Sequence, residues 1–280
     1  MSSIKDRQRA AARARLEKEM AERATAARKR RQRQAIIGSA IAVVVVVVAA
    51  GLIVTKLHND DKKKTTATGS KTPAGTVSCT WTPADPSTGG QVKDVGMPPT
   101  TAPNVGTEVM TLDTNLGKIE ATIDLSKAPC TGASFAYLSA KKFLDGSKCH
   151  RMVNQPGFQV LQCGDPFAKG KGYRQSDGTG GPSYTMAEEN LPTDTKNPYP
   201  AGSIAMANTG QPNSTGSQFF ICTGNTTIPA SYTLLGKITS GLNLAQEVIK
   251  AGDDEAFKAQ AGGGHPKKEL DINSMTVTAS

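Results

Sequence analysis

The chain is poor in the residues that most often carry enzymatic chemistry. It has one tryptophan, Trp81, and aromatic residues make up 5% of its 280 positions. Its three histidines, His58, His150 and His265, lie far apart in sequence. The five cysteines, Cys79, Cys130, Cys149, Cys163 and Cys222, are too few for a disulfide-built scaffold of this length, and an odd number leaves one unpaired. No Cys-x-x-Cys or His-x-x-x-His spacing occurs, which argues against a metal site. A Gly-x-Ser-x-Gly nucleophile turn is also missing. The glycine-rich segments 169–172 and 178–181 lack the spacing and the strand-to-helix setting of dinucleotide or phosphate loops. Glu188 and Glu189 are neighbouring carboxylates in a loop, a pattern that solvation explains better than acid/base work. No metal or cofactor is expected.

Positive charge is concentrated at one end. Residues 1–34 hold 12 Lys/Arg against 4 Asp/Glu, a net of +8, while the whole chain is +9, so the remainder is only about +1. The basic character therefore says little about the partners of the folded part, and no specific nucleic-acid binding is expected. Residues 35–54, AIIGSAIAVVVVVVAAGLIV, carry no charge over 20 positions. That length spans about 30 Å as a helix, the thickness of a bilayer's hydrocarbon core. Valine favours strand in water, but a spanning segment must satisfy its own backbone hydrogen bonds, so helix is expected. Arg28, Lys29, Arg30, Arg31 and Arg33 precede it and place the N-terminus in the cytoplasm. A cleaved signal peptide is the rival reading; the length of the run and the lack of a small-x-small site favour an uncleaved, single-pass anchor. Residues 55–106, rich in Lys, Thr, Ser, Gly and Pro, read as a flexible extracytoplasmic linker, with Cys79 and Trp81 as the residues able to pin part of it.

From residue 107 to 280 the pattern is that of a folded domain. EVMTLDT and KIEATIDL flank Asn115-Leu116-Gly117 as a hairpin. In the second run Ile119, Ala121 and Ile123 alternate with Glu120, Thr122 and Asp124, as in a half-buried strand. Pro129-Cys130-Thr131 opens a helix, with Thr131 as its N-cap. Short strands at 149–153 and 159–163 follow, joined by Asn154-Gln155-Pro156-Gly157. Residues 164–202 have almost no periodic pattern. AMAN at 205–208 and SQFFIC at 217–222 read as two strands around a polar loop, then come a strand at 232–238, a helix at 242–251 and a final strand in LDINSMTVT. About eight strands with two helices suggest a mainly β fold, a closed eight-stranded antiparallel barrel capped by two α-helices.

One constellation stands out. Alternation places Cys149 and Arg151 on one strand face and His150 on the other. If the next strand pairs as a hairpin, Arg151 and Gln162 share a surface. With Gln218 and Phe220 this makes a guanidinium, two amides and an aromatic surface without acid, base or nucleophile. Such a site could grip a carbonyl and an apolar ring, and is poorly suited to hydrolysis.

CHR, VLQCGDP, DGTGGPSY, AMAN and above all GSQFFICT resemble the cyclophilin family of peptidyl-prolyl cis/trans isomerases, in the family's order over residues 107–280. The basic tail, apolar run, linker and cysteine-bearing variants resemble membrane-anchored actinobacterial members. The resemblance implies an eight-stranded barrel with an active groove on its outer surface. It implies a catalytic Arg151, with Gln162 and Phe220 beside it. Ala207, Asn208, Gln218, Ile228 and Tyr232 would bind substrate, Tyr232 standing where many members carry His. Val160 takes the place of a methionine, and either Phe158, through a bulge, or Gln159 takes that of an aromatic. Gln211 is an insertion by the substrate loop. The implied activity is rotation about X-Pro bonds of exported proteins at the outer face of the cell membrane. A low-turnover module that docks or chaperones Pro-containing segments is the alternative. Four cysteines, Cys79, Cys130, Cys149 and Cys163, could form two bridges in an oxidising exterior, with Cys222 a small buried hydrophobe; three pairings are open.

Many members carry a tryptophan that favours cyclosporin where Thr227 or a neighbour stands here. Cyclosporin is therefore expected to inhibit the purified domain only weakly. Nanomolar inhibition in a titration would contradict that expectation.

Overall fold

Eight residues on each side of a two-residue turn make the first hairpin of the main sheet. In this computed structural model, which describes residues 74–85, 87, 90–259 and 262–280, strands β5 (Thr107–Thr114) and β6 (Gly117–Asp124) pair antiparallel without interruption. Asn115 and Leu116 make the turn, and Thr114 Oγ1 accepts the Leu116 N–H at 3.1 Å. Ile119, Ala121 and Ile123 all point into the core, as the alternation requires. The basic tail 1–34, the apolar run 35–54 and the linker as far as residue 73 lie outside the described residues. Among the described residues, no helix is long and apolar enough to cross a membrane.

The main sheet has nine antiparallel strands in the order β7-β15-β5-β6-β14-β12-β13-β9-β8. The others are β7 (Ser147–Lys148), β8 (Arg151–Gln155), β9 (Phe158–Cys163), β12 (Ser203–Met206), β13 (Phe219–Cys222), β14 (Leu234–Ser240) and β15 (Asp271–Ala279). The expected closed ring of eight strands is thus a curled half-barrel of nine. Its edge strands β7 and β8 share no ladder. They are two parts of one bent stretch, broken at Cys149-His150. The Cys149 N–H donates to Leu270 O at 3.0 Å on the β15 side, and the His150 N–H to Gln162 O at 3.0 Å on the β9 side. This bend also corrects the expected facing of Cys149. It lies in the main core with Leu161 and Phe219, bonded to Cys163, and not on Arg151's face.

Among the described residues, two helices accompany the sheet. Helix α1 (Pro129–Ala140) buries Phe135 and Leu138. Its N-cap is Ala128, not Thr131, because Pro129, which lacks an N–H, takes the first helical position. The Glu189 carboxylate does the capping instead, accepting Thr131 N at 2.6 Å and Thr131 Oγ1 at 2.7 Å. A negative charge at a helix N-terminus is favourable, so Glu189 has a structural task that simple solvation does not describe. Helix α2 (Leu242–Ala251) buries Ala245, Val248 and Ile249, with Leu242 and Leu244 packed partly against the core.

Composition marks 55–106 as a flexible linker, but residues 74–106 do not behave as one. They form β1 (Thr76–Ser78), β2 (Thr82–Pro83), β3 (Gln91–Lys93) and β4 (Thr101–Pro103). β1 pairs with β4, while β2 and β3 pair with β11 (Tyr184–Thr185) and β10 (Gly180–Pro182) from the segment that lacks periodicity. Such strands bury little apolar surface of their own, so the ordering comes from contacts with the domain. Cys79 is bonded to Cys130 in α1. The Trp81 ring stands edge-on to Tyr184 at 5.4 Å, and its Nε1 donates to Pro99 O at 3.1 Å. Tyr137 of α1 donates its hydroxyl hydrogen to Val95 O.

The Cys79–Cys130 bridge spans 51 positions, and closing a loop of that size restricts the unfolded chain. Replacing both cysteines by serine is expected to lower stability by about 2–4 kcal/mol. A urea titration of the two proteins under oxidising conditions measures the loss.

Candidate active site

The β8–β9 hairpin sets the site. Its register, Arg151↔Gln162, Val153↔Val160 and Gln155↔Phe158, runs without a shift. Two-residue alternation then puts Phe158, Val160 and Gln162 on one face with no bulge. Gln159 lies on the other, donating to Asn154 Oδ1 at 2.9 Å. The row continues sideways: Phe220 is opposite Gln162, Ala205 opposite Phe220, and Leu234 opposite Ala205. One lateral rung therefore carries Arg151, Gln162, Phe220, Ala205 and Leu234 across five strands.

Hydrogen bonds order the polar end of this rung. Arg151 Nη1 donates to Gln162 Oε1 at 3.0 Å, while Nε and Nη2 donate to Gly262 O at 3.2 and 3.1 Å. Gln162 Nε2 donates to Gln218 Oε1 at 2.9 Å. Gln218 Nε2 donates in turn to Gly178 O at 2.8 Å and Gly180 O at 2.9 Å. The Arg151 guanidinium carbon lies 5.9 Å from the Phe158 ring centre, within cation–π range. Burial lowers the Arg151 pKa, and the nearby Tyr232 acts the other way. An arginine pKa starts so high that the group stays charged.

The apolar end is a separate cluster on the outer side of the sheet. Val153, Val160, Tyr199, Ala205, Phe220 and Cys222 are its buried members. Phe158, Ala207, Ile228, Tyr232 and Leu234 pack against them, partly exposed. Phe220 and Tyr232 meet edge-to-face at 5.5 Å. All the apolar site residues named from the sequence thus come together. Asn208 lies at the rim, where its Nδ2 donates to Ser231 O at 3.0 Å and its Oδ1 accepts Gly210 N at 3.0 Å. Gln211 sits exposed in the adjoining loop, and Ser214 Oγ donates to its carbonyl at 2.6 Å. Glu188 braces that loop by accepting from Asn213 N and Thr215 Oγ1, both at 3.2 Å. Thr227 donates its N–H to Gly157 O at 2.8 Å and so supports the β8–β9 turn. Cys222 is buried and free, and burial pushes its thiol up to about 12. Among the described residues no group of three or more His, Cys, Asp or Glu is placed to hold a metal ion.

Sequence reasoning missed five contributors. Tyr199 and Leu234 belong to the apolar cluster, and the carbonyls of Gly178, Gly180 and Gly262 anchor the polar relay. A backbone carbonyl has no signature of its own in the sequence. The run Gly262-Gly263-Gly264 was the available hint. Gly263 has φ +71°, and a Cβ there would lie 1.9 Å from Met152 O. The chain therefore passes close enough to β8 for its neighbour's carbonyl to reach Arg151.

The family model described as cyclophilin type peptidyl-prolyl cis-trans isomerase/CLD matches residues 109–277. A probable peptidyl-prolyl cis-trans isomerase B of Mycobacterium leprae is 37% identical over 175 residues, covering 59% of this chain and 55% of that protein. The chain thus spans about half the length of that relative. A peptidyl-prolyl cis-trans isomerase of Arabidopsis thaliana is 35% identical over 173 residues, covering 61% of this chain and 96% of that protein. The crystal structure of a Cryptosporidium parvum cyclophilin type peptidyl-prolyl cis-trans isomerase aligns with a TM-score of 0.49 at 23% identity, covering 62% of this chain and 99% of that one.

His150 lies directly behind Arg151 in sequence and is 2% exposed. Neither ring nitrogen has a hydrogen-bond partner among the described residues. Burial is the main influence and lowers its pKa from 6.5 to about 4. Arg151 and His265 push the same way, and Asp165 and Asp177 oppose them. The folded value lies below the unfolded one, so the unfolded chain takes up the proton first. Stability is therefore full above about pH 6.5 and falls as pH drops towards 4, by on the order of 3 kcal/mol from this residue. Urea midpoints at pH 7 and pH 4.5 should differ less for His150→Gln than for the natural chain.

Proposed function

The chain belongs to the cyclophilin-type peptidyl-prolyl cis-trans isomerase family, and from that premise we propose that it catalyses rotation about X-Pro peptide bonds in the groove built on Arg151. The observation that carries this reading is the rung itself. A charged guanidinium, fixed by Gln162 and Gly262, stands beside an apolar floor of Phe220 and Val160.

An X-Pro bond rotates over a barrier of about 18–20 kcal/mol because amide resonance is lost in the twisted state. Nothing has to be cleaved and no covalent intermediate is needed. The catalyst has only to bind the twisted amide better than either planar form. As the bond twists, the prolyl nitrogen regains a localised lone pair. Arg151 donates to that nitrogen, and this bond is stronger in the transition state than in the ground state. Gln162 keeps the guanidinium plane in place. The Asn208 backbone holds the substrate carbonyl before the proline, and Ala207 lines the same edge. Phe158, Val160, Phe220, Ile228 and Tyr232 enclose the proline ring. Burying such a ring is worth on the order of 1.5–3 kcal/mol and immobilises one side of the rotating bond. Gln218 acts through Gln162.

The clients are Pro-containing segments of exported proteins, met outside the cytoplasm by a domain tethered through residues 35–54. Two features support this location. One is the uncharged run with five basic residues just before it. The other is the pair of disulfides, Cys79–Cys130 and Cys149–Cys163, which persist in an oxidising compartment. A docking module with little turnover is the weaker reading, since the unshifted β8–β9 register keeps Arg151 opposite Gln162.

A turnover assay on a Pro-containing peptide tests the proposal. Arg151→Ala should lower kcat/KM by about 10²–10³-fold, the usual cost of losing one preorganised donor. Arg151→Lys should fall nearly as far, because a point charge cannot reproduce the planar fork. Near-normal turnover in the lysine variant would remove Arg151 from this role.

A further inference from the structure

Residues 228–233 form one wall of the groove, since they carry Ile228 and Tyr232. The wall has little regular pairing of its own; Ser231 N donates to Pro229 O at 2.8 Å within it. Its far end is anchored at Thr233, whose carbonyl accepts Met206 N at 2.8 Å and whose Oγ1 accepts Glu189 N at 2.9 Å; ahead of that point two side chains from other parts of the fold hold it. Asn208 Nδ2 bonds to Ser231 O at 3.0 Å. The second is Tyr199, fully buried beneath the groove. Its hydroxyl oxygen accepts the Tyr232 N–H at 2.9 Å. The same hydroxyl lies 3.1 Å from Tyr232 O and 3.3 Å from Pro229 O, and its single proton serves one of these carbonyls at a time.

The ring of Tyr199 reaches both sides of the pocket. It stands edge-to-face with Phe220 at 5.9 Å and with Tyr232 at 6.2 Å. Its own backbone is tied to the floor strands. Thr226 N donates to Tyr199 O at 2.9 Å, and Thr226 Oγ1 accepts Gln159 N at 3.2 Å on β9. One residue thus connects the Phe220 floor to the Tyr232 wall by ring contact and by hydrogen bonds to the wall's backbone.

We infer that Tyr199 is a positioning residue that sets the width of the proline pocket, and so the size of imino-acid ring the groove accepts. The inference rests on reading the groove as an X-Pro isomerase site. A phenylalanine here would fill the same space. It would leave the half-buried Tyr232 N–H without its acceptor, and the wall would shift to find one. A looser wall weakens the grip on the ring in ground and transition states alike, which appears in KM more than in kcat.

The test is Tyr199→Phe in the full chain. Peptides carry proline, the four-membered azetidine-2-carboxylate or the six-membered pipecolate at the same position. KM for the proline peptide should rise about three- to tenfold with kcat within about twofold, and the preference for proline over pipecolate should narrow several-fold. Amide exchange at Tyr232 should speed up by about tenfold or more as its acceptor is lost. Unchanged protection at Tyr232 overturns the inference. So does a fall in thermal stability with an unaltered ring preference, which would make Tyr199 packing alone. If the natural chain turns over none of the peptides, the isomerase reading fails instead, and the exchange measurement still reports the tether by itself.

Discussion

A charged guanidinium has to be kept in a half-buried groove, and much of the surrounding architecture follows from that. Burial disfavours the charge of Arg151, and a buried charge persists only where acceptors surround it. Gln162 and Gly262 provide them. Gln162 is itself oriented by Gln218, and Gln218 by the carbonyls of Gly178 and Gly180. The aim of the arginine is thus traceable to a loop with no regular pattern. Asp165 holds that loop by accepting Gly178 N at 2.6 Å and Gly180 N at 3.1 Å. Gly180 must be glycine here, because a Cβ would lie 2.1 Å from Asp165 Oδ1.

The sheet has to serve two apolar clusters at once. On β9 and β13, Leu161, Cys163, Phe219 and Ile221 face the main core. Val160, Phe220 and Cys222 face the groove cluster, with Gln162 between them on the same side. A slip of one residue would exchange the two sets. Several features pin the register. Cys149–Cys163 bridges the start of the hairpin. Gly164 (φ +95°) lets the chain leave β9 so close to Ser217 O that a Cβ would come within 2.3 Å. The strands of residues 74–106 then clamp the same loop from outside through β2 and β3.

Local pattern made much of the fold legible. The β5–β6 hairpin and α2 were readable from alternation and helical spacing, because each buries one face of its own residues. The apolar groove residues were named through the family resemblance, and geometry brings them into one cluster. What was missed shares one cause. Residues 74–106 look like a tether because their order depends on Tyr184, Cys130 and Tyr137, all distant in sequence. Glu189 caps a helix 58 positions away, so no capping pattern around Thr131 could reveal it. The facing of Cys149 was misread because alternation holds only within an unbroken strand, and the bend at Cys149-His150 resets it.

By itself, then, the sequence determined the mainly β character, the position of the second helix, and the family to which the arginine, glutamines and phenylalanines point. It also carried the charge asymmetry and the uncharged run of residues 35–54. Tertiary structure decided which cysteines pair, that Phe158 rather than Gln159 faces Arg151, and that the sheet is a nine-stranded half-barrel. It also brought the backbone carbonyls of three glycines to Arg151 and Gln218, and the hydroxyl of Tyr199 to the Tyr232 N–H. The physical reason is the range of the interactions. Periodicity and propensity act over a few neighbouring residues, whereas a disulfide, a ladder or a carbonyl acceptor joins atoms that only folding brings together.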